Sequence, residues 1–232
     1  MGELDLTERC AGSPVWLAGP IYCRPQSESG FRRQNRSLAW EGARVEASQL
    51  TRQYPRSLKG SAGKSIRVHR LAAADTERVA EFAKGLDDGD LLFLRVDLTS
   101  TEVVEDIVAA QSDDGRVTLI AEAEGEIVGY GGLDRRNLDW MRHLAEIRII
   151  VSGRLRSQGL GSLLVRELFE IAEELGVTKI VARMVREQEG ARHMFEKLGF
   201  SAEALLTDWA IDRSGKTRDL VIMSYDVTAL TN

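Results

Sequence analysis

Several features that would place a protein in a class at once are scarce or missing from these 232 residues. The two cysteines, Cys10 and Cys23, are too few for a disulfide framework and have no companions that would make them metal ligands. No apolar run near the start is long enough to span a bilayer. The longest, Val15 to Cys23, has nine residues and contains Gly19 and Pro20, against the roughly 20 a membrane helix needs. It also fails as a secretory leader, because Glu3, Asp5 and Glu8 precede it and no small-residue cleavage site follows. These absences point to a cytoplasmic protein with no membrane partner. A net charge of −5 gives no reason to expect a general nucleic-acid binder, which is normally basic. Neither a basic-aromatic stacking platform nor a DNA-binding helix pair is evident. Two phosphate-binding signatures are absent as well: no P-loop Gly-Lys-Ser/Thr and no G-x-G-x-x-G.

What remains is enough for a sizeable core. Hydrophobic residues make up 43% of the chain and mixed charges 29%, which suits one domain, or one domain with an extension. The charges are unevenly placed. Residues 1–64 hold ten Lys/Arg and six Asp/Glu, a net of +4, whereas the remaining 168 residues carry a net of −9. All four prolines and both cysteines also precede residue 64. This first segment shows no sustained period of 2 or 3.6 and ends in Lys59-Gly-Ser-Ala-Gly-Lys64, which reads as a linker. Three readings stand side by side: a disordered basic tail with a short helix around Trp40 to Gln49, a stretch upstream of the true start, or a docking arm. Nucleic-acid binding through it would rest on charge alone.

From residue 65 the texture is that of a folded domain. Ser65-Ile-Arg-Val-His-Arg-Leu71 alternates as a half-buried strand. Asp75-Thr76 can cap a helix with Val79, Phe82, Ala83 and Leu86 on one face, ended by an acidic turn at 87–90, and Thr99-Ser-Thr101 opens a second helix. Strands at 117–123 and 127–133 flank Glu124-Gly125, a two-residue hairpin turn. A third strand, 145–151, follows a polar loop with Asp139, Trp140, Arg142 and His143. The strongest helix runs from Gly159 to Leu175, with Leu160, Leu164, Leu168, Ile171 and Leu175 on one stripe. A strand at 179–184, a helix at 189–198 and strands at about 200–211 and 217–227 complete the order β-α-α-β-β-β-α-β-α-β-β. The fold class is therefore α+β, with a mostly antiparallel central sheet, flanking helices and one parallel crossover around the Gly159 helix.

The chemistry concentrates between the third strand and that helix. Arg156-x-x-Gly159-x-Gly161 sits at the helix N-terminus, where glycines let backbone amides approach an anion and the helix dipole favours negative charge. Arg154 and Arg156 can add bidentate contacts to phosphate. In this context residues 65–227 resemble the GCN5-related N-acetyltransferase (GNAT) superfamily. Arg156-Ser-Gln-Gly159-Leu-Gly161 is similar to that family's acyl-CoA pyrophosphate loop, and Gln188 to Phe200, ending in Leu-Gly-Phe, to its later signature.

The resemblance implies an acyl-CoA-dependent N-acyltransferase using acetyl-CoA as cosubstrate. Strand 145–151 would splay from strand 179–184, leaving amides near Ile149 and Val151 for pantetheine. The amides of Arg156, Ser157, Gln158, Gly159, Leu160 and Gly161 would hold the pyrophosphate, with Arg154 or Arg156 near the outer phosphates. A primary amine, on a protein lysine or a small molecule, would attack the thioester directly. An alkylammonium has a pKa near 10.4, so a base is wanted, and Glu146 is the candidate. Its alternative is a wet carboxylate sharing a strand face with Arg148. His143 could relay protons, and Asp139 and Trp140 could shape the amine site; each could equally decorate an exposed loop. Two positions depart from the family pattern: Gln188 stands where asparagine is common, and Phe195 where a tyrosine would protonate the leaving thiolate. Phe195 keeps open the alternative of a non-catalytic CoA-binding module. The acidic domain would favour cationic acceptors, and edge strands at 200–227 could pair two copies as a homodimer.

Overall fold

The computed structural model describes Ala47, residues 50–60, Gly63, 65–91, Leu94, 96–111, 115–135, 138–212 and 214–227. Cys10, Cys23, the Val15 to Cys23 stretch and most of the helix expected around Trp40 to Gln49 lie outside the described residues.

Eight strands form one sheet: β1 (Arg56–Lys59), β2 (Ser65–Arg70), β3 (Arg116–Ala123), β4 (Glu126–Arg135), β5 (Leu144–Val151), β6 (Lys179–Val185), β7 (Ser201–Ile211) and β8 (Thr217–Asp226). Five helices accompany them: α1 (Thr76–Lys84), α2 (Asp88–Leu91), α3 (Thr101–Ala110), α4 (Leu160–Glu174) and α5 (Glu189–Lys197). The strand order is β1-β2-β3-β4-β5-β6-β8-β7. Every neighbouring pair is antiparallel except β5–β6, the pair joined through α4, because only a crossover of helix length can bring the chain back to run parallel. The β3–β4 hairpin turns on Glu124-Gly125, both at positive φ, which matches the twist of the flanking strands.

Two elements differ from the sequence reading. Strand β1 lies inside the segment read as linker and pairs with β2, Arg56 opposite Val68 through Lys59 opposite Ser65. Arg-Ser-Leu-Lys has one apolar residue and too few positions to show a period. The acidic turn at 87–90 is partly helical, as the single turn of α2.

The sheet buries both faces. On one, the α4 stripe is fully engaged, with Leu164, Leu168 and Ile171 at 0% exposure, each contributing about 1.5–3 kcal/mol by leaving water. Helix α5 adds Phe195, which meets Phe200 edge-on at 4.8 Å beside Phe169 and Tyr225. On the other face α1 and α3 cover Ile120, Ile127, Tyr130 and Ile150. Helix α4 comes close to β4 because glycines face it: a Cβ on Gly129 would lie 3.0 Å from Leu164 Cδ1, and one on Gly131 3.1 Å from Leu168 Cδ1.

A polar strap ties the segment before β2 to α4. Glu167, buried on that helix, accepts hydrogen bonds from Arg52 Nε at 3.2 Å, Tyr54 Oη at 3.1 Å and Arg56 Nη1 at 2.9 Å. Arg52 also pairs with Glu170, and the Thr51 amide and hydroxyl donate to Glu174 at 2.9 and 3.1 Å.

Candidate active site

The site begins where two strands part. Strand β5 pairs with β4 from Ala145 opposite Arg135 to Val151 opposite Gly129. With β6 it pairs only from Leu144 opposite Lys179 to Ile147 opposite Ala182. The Ser152 amide donates to the Val128 carbonyl at 2.9 Å. By the alternation of an antiparallel ladder, even-numbered residues of β5 then bond to β4 and odd-numbered ones face β6. The His143 carbonyl, accepting from the Thr178 and Lys179 amides at 3.1 Å, keeps the same parity at the other end. The amides of Ile149 and Val151 consequently face the β6 side beyond the last pair, with no strand opposite them among the described residues. This is the splay the sequence resemblance implies.

The loop after β5 leads straight from that gap into α4. Gly153–Leu155 form a short 3-10 turn, and Ser157 and Gly159 follow at φ 60° and 78°. Gly159 is the residue before the first turn of α4, and its left-handed backbone turns the chain into the helix. Leu160 is buried and anchors the helix start. At Gly161 a Cβ would meet Met194 Sδ at 2.7 Å and Val151 Cγ2 at 3.8 Å, so the loop backbone sits closely against α5 and β5. The Gln158 side chain donates to the Arg154 carbonyl at 3.1 Å. Arg154 is exposed. Arg156 is half exposed and already engaged: it bonds Asp90 and lies 3.9 Å from Asp87. These acidic partners, on and beside α2, have no signal in the sequence near Arg156.

Glu146 lies on the sheet face away from α4, opposite Val181 and one rung before the last β5–β6 pair. It is not wet. Its side chain is 8% exposed, with Oε1 accepting from Arg148 Nη2 at 2.8 Å and Oε2 3.9 Å from Arg183 Nη2. Arg148 also donates to Asp134 at 2.9 Å, and Asp134 accepts from Arg116 at 2.6 Å. Charges of alternating sign thus cross β3, β4, β5 and β6 in the order Arg116, Asp134, Arg148, Glu146, Arg183. Three guanidiniums against two carboxylates leave this row positive, although the domain as a whole is acidic. Nearby, burial pushes the Tyr130 phenol above its ordinary range.

The other sequence candidates are more dispersed. Asp139 opens a 3-10 turn, Asp139–Met141, in the β4–β5 loop. Trp140 is 74% exposed there. His143 is half-buried, and its backbone pins the start of β6. Gln188 accepts from the Val185 amide at 3.3 Å through its side chain, closing the β6–α5 turn. Phe195 is core, and His193 is exposed beside Glu196. Among the described residues one group has metal-ligating spacing, His69, Asp75 and Glu122. Arg78, at 3.3 Å from Asp75 and 2.7 Å from Glu122, already offsets its carboxylates. No described helix is long and apolar enough to cross a membrane.

Comparison with known proteins agrees with this geometry. The family described as the acetyltransferase (GNAT) family matches residues 68–200, more than half of the chain. The L-amino acid N-acyltransferase MnaT of Escherichia coli (strain K12) is 27% identical over 118 residues, which span 50% of this chain and 68% of that protein. The L-amino acid N-acetyltransferase AaaT of the same organism is 28% identical over 107 residues, 46% of this chain and 65% of that protein. The matched stretch is therefore about two thirds of each relative. In structure, a phosphinothricin acetyltransferase from Sinorhizobium meliloti solved in complex with acetyl-CoA superposes with a TM-score of 0.62 at 21% identity, covering 69% of this chain and 88% of that one.

Proposed function

This chain belongs to the GNAT acetyltransferase family, and from that footing we propose that it moves the acetyl group of acetyl-CoA to a primary amine, with Glu146 as the base. One observation carries the reading: a buried carboxylate stands opposite Val181, one rung before the last β5–β6 pair, close to the gap that the Ile149 and Val151 amides face. Acetyl-CoA would be held by those amides, by the amides of residues 156–161 at the start of α4 and by Arg154 or Arg156. Two left-handed residues in that loop and the tight seat of Gly161 fit a backbone shaped around an anion. The bound thioester supplies an activated acyl carbon.

The protein's part is to deliver a neutral amine. An ammonium approaching Glu146 gives up a proton to it, directly or through one water. The nitrogen lone pair then forms the N–C bond as the C–S bond breaks, the sulfur leaves as thiolate, and the nitrogen gives its second proton to water, which leaves a neutral amide. A thiolate with a pKa near 8.5 takes its proton from water, so the buried, apolar Phe195 is no obstacle. The names of the two Escherichia coli relatives support a small amine over a protein lysine as acceptor. The reading includes a cytoplasmic location and a catalytic domain from about residue 65 onward, to which strand β1 and the strap residues 51–56 are joined. The exposed Leu205, Trp209 and Ile211 of the edge strand β7 offer a place for two copies to meet.

Glu146→Gln tests the base. Turnover, followed as release of the CoA thiol, should fall about 10²–10⁴-fold, while acetyl-CoA binding measured by calorimetry stays unchanged. Unaltered turnover would remove Glu146 from the mechanism.

A further inference from the structure

We propose that the acceptor is a zwitterion, an amine carrying its own carboxylate one carbon away as a free α-amino acid does, and that Arg183 recognises that carboxylate while Glu146 receives the amine. This rests on the reading of Glu146 as base and adds the substrate class of the same site.

The starting point is how unequally Glu146 is held. Arg148 grips it firmly, at 2.8 Å and 17% exposed, with its other nitrogen fixed on Asp134 at 2.9 Å. Arg183 is different. It is 40% exposed and only approaches Glu146, at 3.9 Å. It also follows Ala182, the last β6 residue paired with β5, so it stands at the mouth of the divergence. Between Arg148 and Arg183, Arg183 is the one positioned to change partners.

The charge balance then selects the ligand. A plain ammonium that reached Glu146 would have to part it from Arg183 and would sit beside the released guanidinium, cation against cation. An acceptor with a neighbouring carboxylate avoids that. It slots between the two side chains, ammonium to Glu146 and carboxylate to Arg183, and turns one loose ion pair into two close ones without altering the charge of the site. The scale is suitable, since three bonds separate the nitrogen and a carboxylate oxygen of an α-amino acid, a span of about 3 Å from standard bond lengths. The excess of one positive charge in the Arg116–Arg183 row acts the same way. A lysine side chain within a protein carries no carboxylate near its amine and cannot make this exchange.

The test compares L-amino acids with their carboxamides, which keep the amine and side chain but lose the negative charge. Acetyl-CoA is the donor, and wild type, Arg183→Ala and Arg183→Lys are compared. The wild-type protein should prefer the acids. Arg183→Ala should lower kcat/KM for the acids by about 10- to 100-fold, the loss expected for a charged hydrogen bond, mainly through KM. It should raise, not lower, use of the carboxamides, whose ammonium would no longer sit beside a guanidinium; the KM for acetyl-CoA should not move, and Arg183→Lys should recover part of the loss on the acids. Equal use of acids and carboxamides by the wild type would overturn the proposal, as would an equal loss on both in Arg183→Ala. Turnover confined to lysine peptides or polyamines would overturn it and leave Glu146 as base. No turnover on any amine would remove both.

Discussion

The strap on α4 makes a quantitative claim that can be tested without knowing any substrate. Glu167 is 8% exposed and takes hydrogen bonds from two arginines and a tyrosine, all from residues 52–56. In Glu167→Gln the shape is kept and the charge removed, so two guanidiniums lose their counter-ion. Breaking a buried pair from one side costs about 3–5 kcal/mol. Two features lower that figure here: Arg56 is 35% exposed, and Arg52 keeps its contact with Glu170. The expected loss is therefore about 2–3 kcal/mol, or roughly 4–12 °C in Tm for a domain of this size. Urea unfolding at neutral pH, with Arg52→Met and the double variant completing a cycle, should show a coupling of at least about 0.5 kcal/mol. Burial and the Glu167 charge also push the Tyr54 phenol above its ordinary range. A raised folded pKa means that the folded state holds the proton longer, so this contribution is intact below about pH 10 and is lost as pH rises further. Tyr54→Phe should flatten that alkaline decline. A change below about 0.5 kcal/mol in Glu167→Gln, or strict additivity with Arg52→Met, would show that the strap merely lies on the helix.

Three further variants probe the packing and the loop at 156–161. Gly131→Ala should destabilise by about 1–3 kcal/mol in thermal unfolding, because its methyl would lie 3.1 Å from Leu168 Cδ1 and 3.4 Å from Ile149 Cδ1. Gly132→Ala, whose Cβ meets nothing closer than 3.6 Å, should be close to neutral, and equal effects would refute the close-approach argument. Asp90→Asn should tighten acetyl-CoA binding in calorimetry and make it more sensitive to salt, since Arg156 would be freed from a competing carboxylate; weaker binding would mean that Asp90 instead holds Arg156 in place.

What could be read from the chain alone divides along one line. Signals carried within a few residues were legible: the α4 stripe, the Glu124-Gly125 turn, the glycine-bearing loop at 156–161 and the alternation of β5. Their spacing is set by helix and strand periods, so the residues themselves announce the element. Side-chain contacts made between strands distant in the sequence were not. Strand β1 has one apolar side chain and owes its place to β2 and to contacts with a helix more than a hundred residues away. Glu146 is the sharper case. Its partner Arg148, two residues along the same strand, suggested a solvated face, because an alternating strand with charges on one side is usually wet there. The face is instead roofed by charge. Asp134 is brought opposite Glu146 by the β4–β5 register, and Arg183 arrives only through the parallel pairing that α4 creates. On the proposed reading, the residue that would distinguish a base beside a carboxylate receptor from a surface glutamate is thus 37 positions away, across the one strand pair whose adjacency is dictated by the crossover. On the same reading the sequence motifs mark the acyl-donor loop, whereas the acceptor side depends on residues that only the sheet brings together.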